Sequence, residues 1–148
     1  DSIQLSKFIN FTEKSTLGDL GSGAGFPGML LAIFNDNSAF HVKIYEKSPV
    51  KCDFLEKIKE KCSIEADIIC GDLMNYKLDH KYLVCRAYKK LEVIIKISRE
   101  IVRKPHQIII FARTSCFLVK FIISSSTWLA KSILSGPVLT KLPSNLLT

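Results

Sequence analysis

Acidic residues vanish from the last third of this 148-residue chain: all 14 lie at or before Glu100, whereas six of the 21 lysines and arginines follow it. The net charge of +7 is therefore made mostly by the far end, and such a basic excess favours polyanionic partners such as nucleic acid. The five cysteines (Cys52, Cys62, Cys70, Cys85, Cys116) form no CxxC pair and are odd in number. That argues against a disulfide framework or a zinc site, and a reducing cytoplasm is the simplest home. No basic stretch followed by an apolar one opens the chain, so nothing resembles a secretory signal. The most apolar window, residues 116–123, is broken by Lys120 and falls far short of the ~20 apolar residues of a membrane span. No methionine stands first either; the chain starts at Asp1, and an N-terminal part is expected to be missing.

What is present is an alternation of strand-like and helix-like segments. Strands are expected at 16–20, 41–45, 66–70, 81–85 and 107–112, and the run Ile68-Ile69-Cys70 suits a strand buried on both faces. Helices are expected at 27–34, with Pro27 at the first helical position, at 48–62 and at 91–102. In the second of these Ser48 is the cap, and Phe54, Leu55, Ile58 and Cys62 share one face. Such alternation implies an α/β fold with a mostly parallel, doubly wound sheet, whose ligands bind beyond the carboxyl ends of the strands.

At the first such end stands DLGSGAGFPG, residues 19–28, with four glycines and one proline in ten positions. Glycine permits a sharp reversal and lets a ligand approach bare backbone. The stretch contains a literal GxGxxG (Gly23, Gly25, Gly28), the dinucleotide fingerprint, but that reading starts the pattern several residues late and puts Pro27 inside it. Read as Asp19-x-Gly21-x-Gly23-x-Gly25, it offers an acid at the strand end and then alternating glycines, an arrangement suited to S-adenosylmethionine, whose ammonium Asp19 can reach directly or through water. Glu46, at the second strand end, suits a ribose diol in either case.

The sequence resembles the bacterial RsmG family, also called glucose-inhibited division protein B, which methylates guanine N7 in 16S ribosomal RNA. Four stretches carry the resemblance: DSIQL at 1–5, GDLGSGAGFPG at 18–28, YEKSPVKCDFL at 45–55 and CRAY at 85–88. It implies a Rossmann-like class I S-adenosylmethionine-dependent methyltransferase fold, with S-adenosyl-L-methionine as cofactor. It also implies contacts from Gly21 and Phe26 in the turn, from Glu46 to the ribose, from Asp72, Leu73 and Met74 around the adenine, and from Arg86 in the pocket. Asp72 could equally cap the turn that follows it, and Lys51 faces solvent by default. Gly18 stands where the family carries an apolar residue, which should weaken that strand. Tyr88, Lys89 and Lys90 are candidates for RNA contact.

Guanine N7 carries a lone pair that needs no deprotonation, so no acid–base residue is expected. His41, His80 and His106 are scattered without carboxylates at ligand spacing, and no metal is expected. Neither Cys52 nor Cys85 follows the proline of a nucleophilic RNA-cytosine methylating cysteine. The expected partner is 16S ribosomal RNA in the small subunit, and the protein is expected to be a cytoplasmic monomer without membrane association. Residues 1–112 read as the methyltransferase core. Residues 113–148, where the rhythm fails and no strand pairing is evident, read as a divergent, poorly ordered segment, for instance after a reading-frame change. A non-catalytic RNA-binding remnant and a nicotinamide-dependent oxidoreductase are the alternatives.

Overall fold

The computed structural model describes residues 2–86, 91–111, 118–123 and 133–135. After a 3-10 helix (Ser2–Phe8), the chain builds β1 (Ser15–Leu20), α1 (Gly28–Ile33), β2 (Phe40–Glu46), α2 (Pro49–Cys62) and β3 (Asp67–Cys70). A second 3-10 helix (Leu73–Asn75) leads to β4 (Tyr82–Arg86), α3 (Leu91–Ile101) and β5 (His106–Phe111), followed by β6 (Leu118–Ile123) and β7 (Ile133–Ser135). The sheet order is β3-β2-β1-β4-β5-β6-β7. All pairs from β3 to β5 are parallel, and β6 and β7 join antiparallel. The expected doubly wound parallel sheet is thus present, and its direction of winding reverses between β1 and β4.

Side chains alternate across this sheet with the period of two that strands impose. One face sends Leu17, Val42, Ile44, Val84 and Ile109 against α1, α2 and the first 3-10 helix. The other sends Leu20, Tyr45, Leu83, Cys85, Ile108 and Ile110 against α3. Helix α3 answers with Ile94, Ile95, Ile97 and Ile101, all buried; each contributes about 1.5–3 kcal/mol relative to exposure.

Four expectations are corrected. Strand β3 is the sheet edge, with Asp67 and Cys70 exposed, because nothing pairs beyond it among the described residues. In α2, Cys52 and Leu55 face the sheet while Phe54 is 48% exposed and Cys62 lies outside, since adjacent positions diverge by about 100° around a helix. Pro27 is the N-cap of α1, behind a cis peptide, and the helix begins at Gly28. Beyond Arg113, β6 pairs with β5 and β7 with β6, so strand pairing does continue there.

Gly18 has a structural reason. A Cβ at that position would stand 2.7 Å from Cδ2 of the buried His80 ring, so the glycine makes room for the histidine.

Candidate functional site

The glycine turn, the end of β2 and the loop after β3 converge on a cleft of about 390 Å³ at the carboxyl edge of the sheet. Gly21 and Gly23 present their backbone to it with φ of 69° and 64°, values at which a side chain is strained. The turn is hung on β2: the Gly21 and Ser22 N–H groups donate to the Tyr45 carbonyl at 2.9 and 3.2 Å.

Glu46 organises the cleft. Its Oε2 accepts from the Gly23 N–H at 2.8 Å and its Oε1 from the Ser48 N–H at 2.9 Å, so the carboxylate is pinned by backbone on both sides. Ser48 therefore caps α2 by position, its side chain making no cap bond. The Glu46 carbonyl accepts the Gly71 N–H at 2.9 Å, which ties the exit of β3 to the end of β2.

Asp72 both lines the cleft and caps the short 3-10 helix, accepting the Met74 N–H at 3.1 Å. Its other oxygen receives Lys47 Nζ at 2.7 Å, an exposed ion pair. Leu73 and Met74 complete this wall, Leu73 buried and Met74 42% exposed.

Asp19 stands behind the turn rather than in the lining. It is fully buried, and its Oδ2 accepts the Gly28 N–H at 2.8 Å. Burial raises its pKa to about 6; the Ser22 hydroxyl and the Gly28 N–H oppose the rise, and Glu46 adds to it. Gly28 is needed here for close approach, since a Cβ would lie 2.6 Å from Asp19 Oδ2.

Phe26 and Arg86 also lie outside the lining. They meet each other, the guanidinium 5.7 Å from the ring centroid, with Phe26 43% exposed. Tyr88, Lys89 and Lys90 fall outside the described residues. The structure thus brings Gly21, Gly23, Glu46, Asp72, Leu73 and Met74 together at one cleft, and leaves Asp19, Phe26 and Arg86 outside its lining.

Tyr45, Lys47, Lys51 and Gly71 also line the cleft and were not singled out as site residues. The adjacency of Tyr45 and Lys47 to Glu46, and of Gly71 to Asp72, was the available signal. Beneath Tyr45, its hydroxyl meets His80 Nε2 at 2.8 Å. Burial pushes Tyr45 up to about 12 and pulls His80 down to about 4, so the pair is neutral at physiological pH. Cys85 is buried with its thiol pushed far up, unsuited to act as a nucleophile. Among the described residues, no group of three or more His, Cys, Asp or Glu side chains could hold a metal, and no helix is long and apolar enough to cross a membrane.

One thiol expectation is overturned. Cys52, in the first turns of α2, and Cys70, at the end of β3, are joined by a disulfide across 18 residues of sequence, with Cα atoms 5.9 Å apart. The crossover from β2 through α2 to β3 brings them together, a proximity that no spacing motif announces.

Solved structures share this fold. Coclaurine N-methyltransferase bound to N-methylheliamine and SAH superposes with a TM-score of 0.58 at 13% identity, covering 74% of this chain and 35% of that one. A variant of MtNAS in complex with S-adenosylmethionine gives a TM-score of 0.61 at 19% identity, over 74% and 44%. The sheet is that of the Rossmann-like class I methyltransferases. A curated relative from Rickettsia akari (strain Hartford), named ribosomal RNA small subunit methyltransferase G, is 30% identical over 129 residues, 87% of this chain and 64% of its own length. One of the same name from Fusobacterium nucleatum is 38% identical over 101 residues, 65% of this chain and 42% of its own. The chain thus spans less than two-thirds of the length of either of these relatives. The family model for rRNA small subunit methyltransferase G matches residues 1–115, and the chain belongs to that family.

Proposed function

We propose that this chain binds S-adenosyl-L-methionine in the glycine-turn cleft and directs its methyl group to N7 of a guanine in 16S ribosomal RNA. The observation that carries the reading is Glu46: a carboxylate only 7% exposed, fixed by the Gly23 and Ser48 N–H groups beside the bare backbone of Gly21. A ribose diol needs such a pre-set acceptor, and a glycine-walled entrance leaves room for the nucleoside. Leu73 and Met74 offer an apolar edge for the adenine, and Asp72 a polar one.

When bound, the cofactor supplies an electrophilic sulfonium methyl. The chain's own contribution is alignment, because guanine N7 attacks without losing a proton and no general base is required; correct positioning is worth up to ~7–11 kcal/mol. Asp19, behind the turn, adds negative potential near the cationic centre, and cation binding there holds its proton off. The exposed Phe26–Arg86 pair offers a planar surface at the end of β4 for an unstacked base.

Residues 1–112 form the methyltransferase core in this reading, and 113–148 a divergent segment whose strands β6 and β7 extend the same sheet. The family match ending at residue 115 supports that division. The partner is the small ribosomal subunit, reached in the cytoplasm by a monomer; the names of the relatives and the basic far end support a ribosomal RNA partner.

Titration calorimetry with S-adenosylhomocysteine tests the reading. The parent chain binds it, and Glu46→Gln, which loses a charge-assisted acceptor, binds roughly tenfold or more weakly. Heat from NAD with none from S-adenosylhomocysteine refutes it.

A further inference from the structure

We propose that Cys52 and Cys70 are a reversible thiol–disulfide modification site that tethers the adenine side of the cleft, a proposal that rests on the cofactor reading above. Cys70 is immediately followed by Gly71, Asp72, Leu73 and Met74, four lining residues, and Cys52 follows the lining residue Lys51. The covalent link therefore joins two walls of one cleft. Without it, the described backbone bond still holding the start of this segment to β2 is that from the Gly71 N–H to the Glu46 carbonyl.

The pair is built asymmetrically. Cys70 is exposed on the edge strand, whereas Cys52 is 6% exposed, on the sheet-facing side of α2. An accessible thiol beside a buried resolving partner is the arrangement of redox-responsive cysteines. The other two described cysteines lack such a partner, Cys62 lying free outside and Cys85 free inside. The Cys52 sulfur also lies 3.4 Å from the Glu46 carbonyl oxygen, so in the reduced state its S–H has an acceptor waiting. Both redox states are thereby satisfied at Cys52, which suits a reversible couple. In a reducing compartment a disulfide is generally transient and redox-sensing.

The oxidant is a hydroperoxide. The Cys70 thiolate attacks its terminal oxygen and the O–O bond breaks, giving a sulfenic acid; the alkoxide or hydroxide expelled takes up the proton the thiol released and leaves as an alcohol or water. The Cys52 sulfur then attacks Cys70 Sγ; the S–S bond forms, and the departing hydroxide takes the Cys52 proton to leave as water. Two electrons pass from the two sulfurs to the peroxide. A dithiol reverses the bond by exchange and is itself oxidised to a disulfide.

Three readouts on the full chain test this after reduction with dithiothreitol or treatment with hydrogen peroxide. Mass-resolved alkylation is expected to find two fewer reactive thiols after peroxide, assigned to Cys52 and Cys70. Amide exchange of the 71–76 segment is expected to be at least threefold slower in the oxidised chain, and S-adenosylhomocysteine to bind it on the order of fivefold more tightly, because the tether pre-orders the wall. Cys70→Ser, an exposed substitution, is expected to behave as the reduced chain under both treatments. Free Cys52 and Cys70 thiols after peroxide, or equal exchange in the two states, overturn the proposal. So does equal affinity in two states that both bind. Slower exchange in a chain that binds S-adenosylhomocysteine in neither state upholds the tether and removes the cofactor reading instead.

Discussion

Replacing Asp19 by asparagine is expected to make the protein more stable at neutral pH, although Asp19 stands directly behind the glycine turn of the site. Its pKa rises from the ordinary 3.8 to about 6, chiefly through burial. The folded state therefore holds a proton there that the unfolded chain has released, and stability falls as pH rises from about 4 to about 6. Above that window the full cost stands at about 3 kcal/mol. Asparagine keeps an acceptor for the Gly28 N–H and carries no charge, so allowing about 1 kcal/mol for imperfect mimicry leaves a gain of about 2 kcal/mol. For a chain of this size that is about 5–8 °C in melting temperature. His80 works in the opposite sense: its pKa is pulled down to about 4 by burial, so its contribution is lost as pH falls from about 6.5 toward 4. The two groups offset one another in the parent, which is why the parent–variant difference is the quantity to read. Calorimetric melting at pH 7.5, 5.5 and 4 is expected to show the variant well ahead, then ahead by about half as much, then level or behind. A variant that melts below the parent at pH 7.5, or a gap that ignores pH, refutes the argument.

Gly28→Ala forces a methyl group to within 2.6 Å of the Asp19 carboxylate, and is expected to cost about 1–3 kcal/mol, seen as a lower urea midpoint with unchanged m-value. Gly18→Val is expected to destabilise by a similar ~1–3 kcal/mol because it drives into His80 and breaks the Tyr45 bond. Adding His80→Ala is expected to recover much of that loss, and a double-mutant cycle showing simple additivity rejects the packing explanation.

Strand ends were the legible part of the site. Glu46 declared itself by ending an apolar strand, and the glycines by their density, because a parallel sheet delivers such positions to one edge; Asp72, Leu73 and Met74 came from the family resemblance. Lys51 was not legible as part of the cleft, since its place there depends on how α2 leans over the end of β2. Asp19 was read as an acid facing a ligand, yet its nearest partner is the Gly28 N–H, nine residues on, supplied by a turn whose curl no periodicity encodes. The Cys52–Cys70 link is likewise a product of the crossover. The Ile68-Ile69 run misled for a different reason: composition reports the burial a strand tolerates, not whether a neighbour arrives to complete it, and β3 lies at the rim. Past Arg113 the residues carry weak turn signals, and the antiparallel return of β6 is settled by the backbone ladder with β5.

Glu46 is a keystone in the mason's sense. One residue's carbonyl and carboxylate fasten three arches at once: the curl after β1, the entrance to α2 and the way out of β3. Whatever settles against it stiffens all three together, so cleavage by a protease in any one of those segments would report occupancy of the whole.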